Sequence, residues 1–410
     1  MEINSGRLES ELEQLATFSD APAPAVTRIV FSETDLRART WLKERCLAAG
    51  LQVREDAVGN TFARWSCNHA EGPAIGTGSH IDAIPNAGRY DGTVGVLGGL
   101  EAIRTLRESG FTPKRPIELL VFTSEEPTRF GIGCLGSRLL SGVLNEDKAA
   151  KLYDSTAVSL DELRQAAGFG GSLSSVRLPA GHYASFVELH IEQGPLLEQT
   201  GVEIGLVTGI AAPASMRIDV RGEGGHAGGV LMPNRRDALT AGAEIILSVE
   251  NLALATGAID TVATTGVCDV FPGAINSIPS HVSLGLDVRD TDLSRRNALV
   301  YAIKEAADAV AFKRRLSIKI ELLNADDPAQ CDSKILDALR QSCAEEKVTC
   351  MDIISRAYHD SLFISRIAPT AMLFIPCRGG ISHRPDEFAS MTDIANGVRV
   401  LACALGKLAQ

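Results

Sequence analysis

The chain has few aromatic residues, 5% of its 410, and neither a block of like charges nor a Cys-x-x-Cys pair. Its formal net charge of −11 excludes the basic surface that a nucleic acid or an anionic membrane would select, leaving small molecules as the expected ligands. No apolar run approaches membrane-spanning length, and MEINSGRLESELEQLATFSD lacks a basic segment followed by an apolar one. A cytoplasmic protein that does not engage membranes is therefore expected. The nine cysteines, Cys67 among them, are odd in number and scattered, so they read as reduced thiols, mostly buried. There is no Gly-x-Ser-x-Gly elbow and no cysteine with a plausible partner histidine, which removes the usual covalent nucleophiles. Repeats and low-complexity segments are also absent.

What is present suits about two domains, since 410 residues with 45% hydrophobic content exceed one small core. Pro73 to Gly78 reads as a short buried strand running to His80. Val94 to Ser109 places Leu97, Leu100, Ile103 and Leu106 on one helical face and stops at Gly110. The strand Ile117 to Phe122 leads to Glu125 and Glu126, Ser185 to Leu189 leads to His190, and Thr370 to Ile375 enters a glycine loop carrying His383. Open α/β sheets bind ligands beyond the carboxyl ends of their strands, so these four ends are expected to converge. Between them lies a different order: strand Ser215 to Val220, helix Arg235 to Thr256, strands Thr261 to Val270 and Val282 to Val288, helix Ser294 to Phe312, and strand Leu316 to Leu322. The expected fold is α/β: a catalytic domain with a mostly parallel central sheet (1–210 and 326–410) and an inserted α+β layer of βαββαβ order (211–325).

His80, Asp91, Glu126, His190 and His383 form a set of imidazole and carboxylate donors without thiolate, which suits zinc, manganese or cobalt in a site open to water. Two ions fit the count if one carboxylate bridges them, and Asp91, in the glycine-flanked turn GRYDG, is the candidate bridge. Asp82, two residues past His80, is placed to accept that ring's second N–H. Of the adjacent pair Glu125 and Glu126, one can bind metal while Glu125 stays free as a general base for water attack on a carbonyl. Any one of these features alone is more often a surface or packing detail; the combination at four strand ends is what carries the reading. His69, His182 and His281 sit in polar sequence and read as exposed or locally hydrogen-bonded, and His359 stays ambiguous. GIGCLG (131–136) matches the dinucleotide fingerprint only in letters, because Glu125, Glu126 and Pro127 intervene between strand and loop and no ribose-binding acid is well placed.

The insert has a polar set of its own: His226 in GGHAGG, Asn276 in GAINSIP and Arg289 in LDVRD. An arginine on a strand can grip a carboxylate, an asparagine can add a hydrogen bond, and a glycine-flanked histidine can stabilise developing oxyanion charge. Equally, Asn276 can cap a turn and Arg289 can pair with Asp287 or Asp290.

Taken together, GSHIDAIPNAGRYDG, TSEEPTRFGIGCLGSR, ELHIEQGP, GHAGGVLMPNRRDA, PGAINSIP and GGISHRPDE resemble, over nearly the whole chain, the M20-type metallo-amidohydrolases. That branch holds allantoate amidohydrolases, ureidoglycolate amidohydrolases and N-carbamoyl-L-amino-acid hydrolases. The resemblance implies a homodimer of two-domain subunits, with a twin-metal catalytic domain and an inserted lid that makes the dimer contact. It implies two divalent metal ions, zinc or manganese with cobalt or nickel as alternatives, on His80, Asp91, Glu126, His190 and His383. It also implies Glu125 as base, Asp82 as support, and Gln193, His226, Asn276, Arg289 and Gly380 as substrate contacts. TSEEPTRFGIGCLGSR and SRAYHDSLFISRIAPTAMLFIPC look closest to ureidoglycolate amidohydrolases, whereas Ile381 is similar to allantoate enzymes. The expected activity is hydrolysis of the ureido or carbamoyl C–N bond of a small linear carboxylate, with release of ammonia. Rival readings are a dipeptidase or aminoacylase on the same scaffold and a non-catalytic small-molecule binding protein.

Overall fold

A computed structural model describes residues 1–66 and 72–410, so Cys67 and His69 lie outside the described residues. The chain divides into two compact units. The first comprises Met1–Thr208, Gln330–Ile353 and His359–Gln410; the second comprises Gly209–Ala329 and Ile354–Tyr358. The division falls a few residues outside the limits read from sequence. It also assigns to the second unit a short later segment that carries no compositional mark.

The first unit is built on a nine-stranded sheet. Its centre is four parallel strands in the spatial order Thr370–Ile375, Tyr183–Ile191, Ala74–His80 and Ile117–Phe122. Antiparallel strands flank them, Thr61–Trp65 and Gln52–Glu55 on one side and Ile204–Ile210 on the other. A parallel strand covered on both faces reads as a continuous apolar run, and IELLVF is buried along its whole length. The pleat then splits it: Ile117, Leu119 and Val121 enter one core, Leu120 and Phe122 the other. Helices Thr93–Glu108 and Met391–Leu408 pack on the first face. The short helices Leu135–Ser141 and Asp360–Ile364 pack on each other, and Ile364 joins the second core with Leu135, Leu139 and Leu140.

The second unit is a four-stranded antiparallel sheet in the order Val262–Phe271, His281–Asp290, Ala212–Arg221, Ser317–Ala325. Along His281–Asp290 every second residue is buried, the alternation of a sheet covered on one face. Helices Ala238–Ala255 and Leu293–Arg314 supply that cover. The βαββαβ order is thus present, together with a two-strand ladder, Gly225–His226 against Ser277–Ile278.

Helix Ala238–Ala255 departs from the reading that no apolar run has spanning length: over 18 residues its mean hydropathy is 1.4, enough by length and composition to cross a membrane. Here it lays Ala238, Ala241, Gly242, Ile245 and Val249 on the sheet, leaves Leu247 and Leu254 exposed, and holds Lys313 and Arg314 through Glu244. The later segment is tied into this unit: Ser355 O accepts from Ala211 N at 2.8 Å, and Arg356 pairs with Asp260 at 2.7 Å.

Candidate metal centre

The four parallel strands end on one edge. Phe122 lies beside His80 and Phe374 beside His190 in the ladder, so the segments that follow them meet. Gly92 permits the closest approach. It has φ 67°, and a Cβ there would stand 2.5 Å from the His80 ring, so only glycine lets the Asp91 turn come in against that imidazole.

The buried rings of His80 and His190 share one orientation. His80 Nδ1 lies 3.0 Å from the main-chain O of Asp82, and His190 Nδ1 lies 2.9 Å from Ile191 O. Carbonyls only accept, so each Nδ1 carries the proton and each Nε2 presents a lone pair, which on His190 also accepts from Gly92 N at 3.1 Å. Both Nε2 atoms face Asp91 Oδ1, at 3.4 Å and 3.2 Å. On the other side His383 Nε2 is 3.3 Å from Asp91 Oδ2 and 3.3 Å from Glu126 Oε1. Two groups able to hold a cation therefore share one carboxylate: His80, Asp91 and His190, and Asp91, Glu126 and His383. Donor lone pairs pointed at a carboxylate oxygen repel unless positive charge lies between them, and nitrogen–oxygen donor sets of this kind fit borderline divalent metals.

The titration behaviour follows the same crowding. Without a cation the rings take up a proton instead: burial pushes the Asp91 carboxyl up, but hydrogen bonds from protonated His190, His383 and His80 more than reverse this and hold it well below the usual carboxylate range. Hydrogen bonds to Asp91 and Glu126 push His383 up to about 11. Glu125 goes the other way: burial, reinforced by Glu126, Asp360 and Asp91, raises it well above an ordinary carboxylate despite His80. Its Oε2 is 3.8 Å from His80 Nε2, and it belongs to neither cation-holding group.

Asp82 works differently from its expected part. Its carboxylate Oδ1 is 3.6 Å from His80 Nδ1, because the main-chain carbonyl of the same residue already takes that ring proton. The carboxylate instead accepts the amides of Glu125 at 3.2 Å and Glu126 at 3.0 Å, fixing the backbone of both acids. Gln193, a non-glycine residue at φ 55°, donates through Nε2 to Asp91 Oδ2 at 2.6 Å, while its Oε1 is buried without a hydrogen-bond partner. Gly380 packs on Gly194 and Pro195, immediately after Gln193. His383 is likewise at positive φ (58°), as is Ser124 (56°) beside Glu125. Such conformations cost energy in non-glycine residues and are kept where the surroundings enforce them.

In the second unit, His226 and Asn276 adjoin through the small ladder, with Ala227 N donating to Asn276 O at 2.9 Å, and both are exposed. His226 Nδ1 accepts from Gly228 N at 3.1 Å, which leaves the ring proton on Nε2, pointing a donor outward. Arg289 pairs with Asp287, Nε to Oδ1 at 2.7 Å, donates to Arg356 O at 3.4 Å, and lies 5.8 Å from the Tyr358 ring.

Sequence reading passed over the supports. Ser382 Oγ lies 2.8 Å from both Asp91 Oδ2 and Glu387 Oε2, and Glu387 Oε1 accepts the amides of Tyr90 and Asp91. Glu188 accepts from Ser79 Oγ and from the hydroxyl and amide of Ser361. The His359 ring is buried 4.5 Å from that of His190, and Glu188, His190 and His359 make a third potential donor group. A signal existed for Glu188, a carboxylate inside an otherwise apolar strand, two residues from His190 and hence on its side. Of the histidines read as local, His182 and His281 hydrogen-bond Glu118 and Asp219.

A carboxylate shared between two imidazole–carboxylate groups, with a glutamate of raised proton affinity beside them and outside both groups, is the donor arrangement of a metal-dependent hydrolase. The chain belongs to peptidase family M20/M25/M40, which it matches over residues 76–407, and within it to the amidohydrolases. It is 49% identical to the ureidoglycolate hydrolase of Arabidopsis thaliana over 100% of this chain and 87% of that protein. It is 36% identical to the N-carbamoyl-L-amino-acid amidohydrolase of a Pseudomonas species, over 97% of each chain. The crystal structure of AtUAH in complex with (S)-hydroxyglycine superposes with a TM-score of 0.90 at 48% identity, covering 100% of this chain and 98% of that one.

Proposed function

We propose that this protein hydrolyses the ureido C–N bond of a small linear carboxylate and releases ammonia, with ureidoglycolate as the substrate. The observation that carries this is Glu125: a buried carboxylate of raised proton affinity, outside both cation-holding groups, against the lone-pair face of His80. Metal ions on His80, Asp91 and His190 and on Asp91, Glu126 and His383 would supply Lewis-acid activation of the ureido carbonyl and of water; zinc or manganese suits these donors, as do cobalt and nickel. Glu125 takes the proton of the attacking water and returns it to the leaving nitrogen, a shuttle that calls for a carboxylate whose affinity is above the ordinary. His226, its proton on Nε2, donates to the oxyanion that forms as the carbonyl carbon becomes tetrahedral. Arg289 and Asn276 hold the substrate carboxylate, and Gln193 Oε1 accepts from a ureido N–H. The 49% identity to a ureidoglycolate hydrolase, against 36% to an N-carbamoyl-L-amino-acid enzyme, favours ureidoglycolate. Assembly as a homodimer through the second unit belongs to the same proposal, supported by the exposed Leu247, Leu254 and Tyr301 on its two helices.

Ammonia release measured side by side on ureidoglycolate, allantoate and several N-carbamoyl amino acids tests this. The highest kcat/KM is expected on ureidoglycolate. Amino-acid release from dipeptides without ammonia from any ureido compound would overturn it.

A further inference from the structure

The GIGCLG loop lies against Glu125. Three successive amides run along the segment that carries this acid: Cys134 N donates to Glu125 O at 2.7 Å, Leu135 N to Ser124 O at 2.9 Å, and Gly136 N to Thr123 O at 2.9 Å. That lattice brings the Cys134 side chain onto the Glu125 side chain, with Sγ 3.4 Å from Oε1. Cys134 is fully buried and holds a left-handed backbone, φ 56°, at the start of helix Leu135–Ser141. Both Cys134 and Ser124 are thus non-glycine residues in a costly conformation, one on each side of the paired segments.

The two oxygens of Glu125 are divided between two neighbours. Oε1 faces the thiol, and Oε2 faces His80 Nε2 at 3.8 Å. A glutamate side chain has three rotatable torsions, and a base that must meet a water in one geometry loses rate whenever it swings away. We infer that Cys134 is a positioning residue for Glu125, its S–H anchoring Oε1 so that Oε2 stays turned toward the metal ligands. Burial and the adjacent Glu125 push the thiol well above its usual range, so it remains an S–H donor and is no nucleophile. A thiol is a weak donor. It can orient the carboxylate without forming the strong charge-assisted bond that would tie up its proton-accepting capacity.

The inference rests on the reading of Glu125 as general base, and the experiment separates the two. Cys134→Ala, Cys134→Ser, Glu125→Gln and the double variant Cys134→Ala/Glu125→Gln are compared as metal-loaded full chains for kcat, KM and metal content. Cys134→Ala is expected to lower kcat by about 10-fold, with KM and metal content within about twofold of the parent, the split expected when only transition-state geometry suffers. Cys134→Ser should restore most of the loss, and in the Glu125→Gln background Cys134→Ala should cost nothing further. Unchanged kcat in Cys134→Ala, no rescue by serine, or the same factor lost again in the double variant would each overturn the positioning role. Full activity in Glu125→Gln would remove the base assignment and the inference with it. An infrared difference spectrum of the S–H stretch, parent against Glu125→Ala, gives a check independent of how Cys134→Ala folds. A thiol band at lower wavenumber in the parent supports the contact, and coincident bands refute it.

Discussion

The two units hold their polar groups in opposite ways. In the first, six ionisable side chains (His80, Asp91, Glu125, Glu126, His190 and His383) are brought together beyond one edge of the sheet. All but His383 are buried. In the second, His226 and Asn276 are exposed, and Arg289 rests on Asp287. Metal chemistry needs donors fixed before the ion arrives, and here the Asp82 and Glu387 carboxylates hold the backbone amides of Glu125, Glu126, Tyr90 and Asp91 while the Ser382 hydroxyl lies on Asp91 Oδ2. Substrate recognition needs groups that water can reach until the substrate replaces it. In the proposed reaction the first set holds the metal and moves the proton, while Arg289 and Asn276 of the second serve selection and His226 the oxyanion.

Variants can break that contrast. The largest effect is expected for Asp91→Asn, which removes the one negative charge shared by the two groups: activity should fall by at least about 10⁴-fold, with loss of bound metal read by elemental analysis. Metal retained at full stoichiometry would mean that Asp91 is no bridge. Next comes Glu125→Gln, expected to lose roughly 10²–10⁴-fold in kcat while keeping its metal, since only the proton shuttle is removed. In the second unit, Arg289→Ala should raise KM for carboxylate substrates by about 10- to 100-fold, the scale of one charge-assisted pair, and leave amide analogues untouched. An equal change on both substrate types would show that Arg289 serves only Asp287.

The smallest effect concerns stability. Lys313 and Arg314 hold Glu244 at about 2, below the ordinary glutamate value. A depressed acid stabilises above its unfolded pKa, and that contribution disappears as pH falls through the folded one. Glu244→Gln should therefore cost about 0.5 kcal/mol near pH 6, a typical surface pair, and nothing below pH 2. Thermal melts at both pH values check the sign.

Much of this was legible in the sequence because the features are local. IELLVF announces a doubly covered strand, and a histidine or glutamate just past such a strand announces a sheet-edge site. What stayed hidden was the bracing. Glu387 reaches the amides of Tyr90 and Asp91 across 297 and 296 residues, and Ser361 reaches Glu188 across 173, separations that no spacing rule connects. Asp82 shows a related limit: spacing puts its side chain near His80 but cannot say that its own carbonyl reaches the ring first. Cys134 was set aside with a motif that matched a nucleotide fingerprint in letters alone.

The short return of the chain at Ile354–Tyr358 limits any attempt to exchange the second unit as a cassette. Arg356 answers Asp260 there, and Tyr358 flanks the guanidinium of Arg289. A graft of 209–329 from a relative would leave these partners behind, on a strap that still carries the host's residues. Recombination that respects the fold has to move two non-contiguous pieces, and a chimera that moves one should show its mismatch first at Arg289.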